Sequence, residues 1–236
     1  MQPRHNGAWK KARHSASSFY ASAINLLAAY QFPIARVSVA LRGRNQMRIT
    51  GGVAKGRHLV VPKGGAVRPT AGKVKQSLFN ILPRDFSGIT MLDLFAGTGN
   101  VTIEALSRGA AKAVLVEASE RSAAVIRKNL GGLGFSERSQ VWVLPVARAL
   151  RSLAKRRETF DLIFLDPPYD QRLIGATLKL IAQSDLLTQA GTVVAEHSAR
   201  ENVKSNYGAL VLHDQRRYGD TLLSFFKSAA KPDPAS

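Results

Sequence analysis

"ITMLDLFAGTGNVTIEALSRG", Ile89 to Gly109, decides the fold. Its first seven residues are apolar apart from Thr90 and Asp93, the pattern of a strand covered on both faces. Gly97 and Gly99 then supply a tight turn, since glycine enters left-handed backbone conformations without steric cost. "NVTIEALSRG" reads as the helix that follows. The same unit recurs down the chain. "KAVLVEAS" is a strand, followed by a helix "ERSAAVIRKNLGGL" that ends on glycines. "QVWVLP" precedes a helix "ARALRSLAKR", "FDLIFLD" precedes a helix "RLIGATLKLIAQ", and "GTVVAEH" is a fifth strand. "ALVLHDQRRY" and "TLLSFFK" close the pattern with no helix-length segment between them, so they are expected to pair antiparallel. Repeated βα units form a parallel sheet with helices on both faces. The expected fold is α/β: a doubly wound, mostly parallel, seven-stranded Rossmann-like sheet with a C-terminal antiparallel strand.

Such sheets bind ligands at the carboxyl ends of their strands. The first strand ends at "LDLFAGTGN", where the following helix N-terminus can hold a negative group. The dinucleotide fingerprint G-x-G-x-x-G fails here, because its sixth position is Thr102. Asp93, four residues before Gly97, would also face a pyrophosphate. An acid there suits a cationic ligand such as S-adenosylmethionine, which carries an ammonium and a sulfonium and no phosphate. Glu117, at the end of the second strand, can accept hydrogen bonds from two ribose hydroxyls, a feature that dinucleotide enzymes share.

"FDLIFLDPPYD", Phe160 to Asp170, brings a carboxylate, a rigid turn and an aromatic ring to the same edge. The nitrogen of an exocyclic base amine is a poor nucleophile because its lone pair is delocalised into the ring. Two acceptors aimed at its N–H bonds can localise that pair. Asp166 offers a carboxylate. Pro167 offers a carbonyl held extended by Pro168, and Tyr169 can stack on the base, worth roughly 1–3 kcal/mol. An isolated "DPP" is a common strand-ending turn; paired with "DLFAGTG" it points to amine methylation of a base taken out of its stack.

Charge divides the chain. Net charge is +18, and residues 1–84 hold 15 Lys and Arg with no acid, whereas the remainder holds 19 basic and 16 acidic residues. A basic N-terminal third on a nearly neutral body points to a polyanion, nucleic acid first; a solvated tail is the plain alternative. Cysteine is absent, which excludes disulfides and thiolate zinc sites. The five histidines show no metal-binding spacing, so no metal is expected. No apolar run reaches membrane-spanning length. Residues 1–46 are expected to be a basic, disordered extension. Its Arg- and Ser-rich, acid-free composition is also that of a targeting segment, and a start codon upstream of the natural one is a further alternative. Residues 47–84 read as a basic strand–turn–strand followed by a helix whose apolar stripe is Val74, Leu78 and Leu82, with Lys73 and Lys75 off the stripe. Residues 85–228 form the main domain and 229–236 a tail.

"MRITGGVAKGRHLVVP", "VRPTAGKVKQSLFNIL", "DLFAGTGNVTIEALSRGA", "VEAS", "FDLIFLDPPYD" and "RRYGDTLLSFF" together resemble the bacterial 16S ribosomal RNA guanine-N2 methyltransferases of the RsmD type, in the class I adenosylmethionine-dependent superfamily. The resemblance runs from Met47 to about Lys227. "DPPY" is shared with other amino-methyltransferases, whereas the segments before Asp85 are more specific to this family. The resemblance implies a methyl donor site formed by Asp93, Phe95, Ala96, Gly97, Thr98, Gly99, Glu117, Ala118 and Ala149. It implies that Asp166, Pro167 and Tyr169 hold the guanine amine, and that Arg48, Lys55, Arg57, Arg68 and Lys73 meet RNA. The implied partner is 16S ribosomal RNA or the assembling small subunit, and the implied protein is a cytoplasmic monomer. One departure stands out: where the family often has an Asp or Asn for the adenine amino group, this chain has Arg148, which cannot accept a hydrogen bond.

Three other functions remain open on sequence. A DNA amino-methyltransferase usually adds a target-recognition domain, and 67 residues follow Tyr169. A protein-glutamine methyltransferase prefers Asn at position 166. A non-catalytic RNA-binding assembly factor would have no use for an intact set of Asp93, Gly97, Gly99 and Asp166.

Overall fold

Apolar runs of five or six residues cannot be exposed, and here they stack side by side as the centre of one sheet. The computed structural model describes residues 47–61, 69–168 and 173–229. In chain order these form α1 (Pro69–Ile81), β1 (Thr90–Leu94), α2 (Asn100–Ser107), β2 (Lys112–Glu117), α3 (Glu120–Leu133), β3 (Ser139–Val143), α4 (Val146–Lys155), β4 (Phe160–Leu165), α5 (Leu173–Ala182), β5 (Leu187–Ser198), β6 (Asn206–Tyr207), β7 (Leu210–Tyr218) and β8 (Thr221–Ser228). The strand order is β3-β2-β1-β4-β5-β8-β7-β6. The first five strands in that order run parallel, and β8 lies antiparallel between β5 and β7. The result is a Rossmann-like α/β fold on a mixed sheet with antiparallel C-terminal strands.

Among the described residues the expected seven strands are eight. Asn206 and Tyr207 pair with Val211 and Leu210 at the sheet edge, a two-residue ladder too short to leave a periodic signal. β5 is also longer than "GTVVAEH", because Leu187 already pairs with Phe160 across a register shift. Two apolar layers sandwich the sheet. One gathers α1, α2 and α3 through Leu78, Phe79, Ile103, Leu106, Ile126 and Leu130. The other gathers α4 and α5 through Leu150, Leu153, Ile174 and Leu178.

Residues 47–61 turn back on themselves as expected, though too briefly to form a regular ladder. The two limbs pair antiparallel at the Arg48–His58 bridge, and the Ile49 N–H donates to the Arg57 carbonyl at 3.0 Å, the Gly56 N–H to the Ile49 carbonyl at 2.9 Å and the Leu59 N–H to the Met47 carbonyl at 2.9 Å. The backbone also finds partners on the body: Val53 N–H donates to the Ser107 carbonyl at 2.8 Å, and the Val60 N–H to Asn129 Oδ1 at 2.8 Å. Gly52 makes this possible, with φ of 74° and a Cβ position that would fall 1.8 Å from the Ser107 oxygen. The segment therefore lies along α2 with its turn at that helix's far end and its ends beside the glycine loop.

Lys75 is a second correction. It is buried rather than off the packed face, because Glu104 in α2 is buried too and needs a cation. Lys75 Nζ lies 3.0 Å from Glu104 Oε2 and donates to the Arg48 carbonyl at 2.8 Å and Asn100 Oδ1 at 2.9 Å.

Candidate active site

The site forms where β1, β2 and β4 end side by side. Asp93 and Leu94 of β1 pair with Phe164 and Leu165 of β4, so Asp166 emerges one step beyond Leu94. The Asp166 N–H reaches the Leu94 carbonyl at 3.5 Å. On the other side, Leu94 pairs with Val116, and Glu117 follows. Three carboxylates thus converge on one crevice: Asp93 buried, Glu117 and Asp166 partly exposed.

The turn after β1 is tightly wound. Phe95, Gly97 and Gly99 all have positive φ, at 65°, 56° and 74°. A left-handed phenylalanine is strained, and strain of this kind collects at functional turns. Gly99 also packs where a Cβ would sit 3.3 Å from Leu115 and 3.4 Å from Ile126, so a larger residue would push the loop off the sheet. Gly97 has no such neighbour: its would-be Cβ meets nothing nearer than the Phe95 oxygen at 4.0 Å. Its open side leaves room for a ligand to approach the backbone. Glu117 accepts the Gly97 N–H at 2.9 Å with one oxygen and the Ser119 N–H at 2.8 Å with the other. A carboxylate has about four lone-pair sites, so Glu117 keeps acceptor capacity for hydroxyl donors.

Thr102, which breaks the dinucleotide fingerprint, has its own task here. Its hydroxyl donates to Asp93 Oδ2 at 2.5 Å. Gly99, the cap residue of α2, has no side chain to offer the helix N-terminus, and Asp93 supplies an acceptor from beneath. The glycine loop is braced from outside as well. Thr98 donates to Met47 Sδ at 3.3 Å, and Asn129 Nδ2 reaches the Thr98 carbonyl at 3.4 Å while pairing with both backbone groups of Val60. Sequence reasoning missed Thr102, Asn129, Lys75 and Glu104.

Of the other expected donor-site residues, Ala96 and Thr98 line the loop half-buried and Ala118 is exposed beside Glu117. Ala149 is fully buried in the apolar layer under α4. Pro167 is buried and Pro168 exposed. Arg48, Lys55, Arg57 and Lys73 are exposed, and Arg57 also donates to the Gly132 carbonyl at 2.7 Å. Tyr169 and Arg68 lie outside the described residues. Among the described residues no group of acids and histidines could hold a metal ion, and no helix is long and apolar enough to cross a membrane.

Burial pushes the Asp93 carboxyl up to about 7; the Thr102 hydrogen bonds resist the rise, and the charges of Asp166 and Glu117 add to it. A carboxyl raised above its unfolded value holds its proton more tightly in the folded chain. Stability should therefore fall as pH rises from about 4 through about 7. Asp93→Asn keeps an acceptor for Thr102 and removes the charge. The ligand-free variant should match the parent near pH 4 and exceed it at pH 8, by on the order of 4 kcal/mol at the ceiling. Thermal melts at both pH values check this; a parent curve as flat as the variant's would refute it.

The crevice belongs to a fold and sequence shared with known proteins. The family model described as "Conserved hypothetical protein 95" matches residues 47–227. "Putative rRNA methyltransferase YlbH" of Bacillus subtilis is 39% identical over 181 residues, 77% of this chain and 98% of its own length. "Ribosomal RNA small subunit methyltransferase D" of Escherichia coli is 30% identical over 189 residues, 80% of this chain and 93% of its own. The solved structure named "Putative methyltransferase yhhF from Escherichia coli" has a TM-score of 0.69 and 26% identity, covering 79% of this chain and 100% of that one. With the glycine loop, Glu117 and Asp166 in place on this sheet, the chain belongs to the conserved hypothetical protein 95 family, the S-adenosylmethionine-dependent methyltransferases related to RsmD and YlbH.

Proposed function

We propose that this protein transfers a methyl group from S-adenosylmethionine to the exocyclic N2 of a guanine in 16S ribosomal RNA, free or in the assembling small subunit. The observation that carries the proposal is the placement of Asp166 beside Asp93 across the β1–β4 pair. It puts an acceptor for an amine next to an acid suited to a cation. The relative from Escherichia coli, named for the small-subunit ribosomal RNA, supports the choice of substrate.

The residues present fit the donor. The open face of Gly97 admits it, Glu117 has lone pairs for ribose hydroxyls, and Asp93 matches its positive charge. When bound, S-adenosylmethionine supplies a methyl group already activated by its sulfonium. The chain's task is then orientation and desolvation. Asp166 and the Pro167 carbonyl accept the two N–H bonds of the guanine amine, turning its lone pair toward the methyl. Asp166 is also placed to receive the proton that the amine sheds. A cation beside Asp93 favours its charged form, so donor affinity should fall as pH drops through about 7. The exposed cations Arg48, Lys55, Arg57 and Lys73 would meet RNA phosphates.

Nucleoside mass spectrometry of ribosomal RNA from cells with and without the gene tests the proposal. N2-methylguanine in the small-subunit RNA should disappear with the gene and return with it. Methylation of duplex DNA by the purified protein, or tight donor binding with no methyl transfer to any RNA, would replace this function with one of the alternatives.

A further inference from the structure

We infer that the outer face of α4 is a second nucleic-acid-binding surface, which takes the phosphate backbone of RNA. The inference rests on the RNA substrate proposed above and adds a contact that the basic N-terminal third does not provide. α4 turns Ala149, Leu150 and Leu153 inward, all fully or nearly fully buried. Its opposite face carries Arg148, Arg151 and Lys155, at i, i+3 and i+7, all exposed, and the exposed Arg156 and Arg157 follow. Those three positions make a row roughly 10 Å long at 1.5 Å per residue.

The charge of the body is concentrated in this one place. Residues 145–158 contain five of the 19 basic residues beyond Arg84 and one of the 16 acids, Glu158. The rest of that region, with 14 basic and 15 acidic residues, is slightly negative. Three other cations of the body are ion-paired: Arg108 with Glu104, Arg127 with Glu120 and Arg216 with Asp214. Among the described residues Arg148, Arg151, Lys155 and Arg157 form no ion pair. Like charges three and four apart on a helix each cost about 0.2–0.5 kcal/mol. The row therefore opposes folding slightly and gains nothing within the chain, whereas an external polyanion would reverse that balance.

Placement favours RNA on its way to the crevice. α4 follows the carboxyl end of β3, so its first turn stands at the ligand edge and Arg151 and Lys155 recede from it. It packs on the sheet face opposite α1, α2 and residues 47–61. Arg148, in that first turn, is the member of the row nearest the edge where Asp166 lies, so an RNA lying along the row reaches that edge at Arg148. A membrane surface fits poorly, since the exposed face between the cations offers only Ser152 and Ala154 and no large apolar side chain to insert.

The test uses the full chain with Arg151→Gln and Lys155→Gln together, against transcribed 16S ribosomal RNA over a potassium chloride series. Losing two phosphate contacts should reduce the slope of log affinity against log salt by about 1.4–1.8. Donor affinity should stay at the parental value, and the melting temperature should hold or rise slightly as the repulsion within the row is relieved. The charge-retaining pair Arg151→Lys and Lys155→Arg should keep the parental slope. A parental slope in the folded glutamine variant overturns the inference, as does loss of slope in the charge-retaining variant. Nucleoside analysis of the same RNA keeps the two proposals apart. Methylation with an unchanged slope overturns this surface alone, and a reduced slope with no N2-methylguanine formed either in this RNA or in assembling small subunits overturns the substrate and leaves the surface standing.

Discussion

Asp166→Ala is expected to lower methyl transfer by on the order of 10²–10⁴-fold, the usual range for removing a proton acceptor or a charge-stabilising group. Donor affinity should change by less than about threefold, because in the proposed mechanism the lost group meets the amine rather than the donor. The direction of that small change also follows. The Asp166 charge helps raise Asp93, after burial, the largest cause. Without it Asp93 ionises more readily, so a cationic donor should bind slightly more tightly near neutral pH. The backbone at this position is anchored by its N–H to the Leu94 carbonyl, which alanine retains, so the strand end should hold its place. Titration calorimetry with S-adenosylmethionine and single-turnover methylation of ribosomal RNA give the two numbers. Donor binding lost with turnover intact at saturation would reverse the roles assigned to Asp166 and Asp93.

The parts of this site that were legible in the sequence share one property: their signal is local. An apolar run marks β1 or β4, and the glycines or prolines that end it mark the ligand edge, all within ten or so neighbouring residues. Asp93, Gly97, Gly99, Glu117 and Asp166 could be named because each lies at the end of such a run. What was not legible depends on pairs far apart in the chain. Lys75 meets Asn100 and Glu104, and Asn129 meets Val60, with 25 to 69 residues between the partners of the hydrogen-bonded pairs. Residues 47–61 looked like a hairpin because their apolar positions bracket a Gly-Gly turn. That pattern finds the bonds between the limbs, such as Ile49 N–H to the Arg57 carbonyl, but not those that tie the turn and the second limb to Ser107 and Asn129. The two-residue β6 has no pattern to find. The row on α4 has a clear helical period, at 148, 151 and 155, yet summing charge over the whole body hid it behind the acids elsewhere.

Glu104→Ala should cost about 3–5 kcal/mol, the range for removing one partner of a buried ion pair. At about 2–4 °C per kcal/mol for a domain of this size, the melting temperature should fall by on the order of 10 °C or more. Glu104 is fully buried and accepts the Thr50 N–H at 2.9 Å and the Thr50 hydroxyl at 2.7 Å, with Lys75 and Arg108 each at 3.0 Å. Alanine leaves the Lys75 ammonium under the surface with its countercharge gone and the Thr50 N–H without its acceptor. Replacing both members of a buried pair by apolar side chains is often close to neutral. The double variant Glu104→Leu, Lys75→Met should therefore be more stable than Glu104→Ala alone. Burial pushes the Glu104 carboxyl up, but the Thr50 N–H and the Lys75 charge outweigh it and hold the group below its usual value. Its contribution is thus present above about pH 4.5 and fades as pH falls toward the lowered value. The gap between parent and Glu104→Ala should narrow in acid, as the Asp93→Asn gap does, but here the parent is the more stable of the two. Denaturant unfolding at pH 7 and pH 4 gives both energies. Because Glu104 holds Thr50, hydrogen exchange should also quicken at Thr50, Val53 and Ala54 ahead of the strands. A cost below about 1 kcal/mol, or exchange that quickens evenly across the sheet, would mean that the N-terminal segment is not held through Glu104.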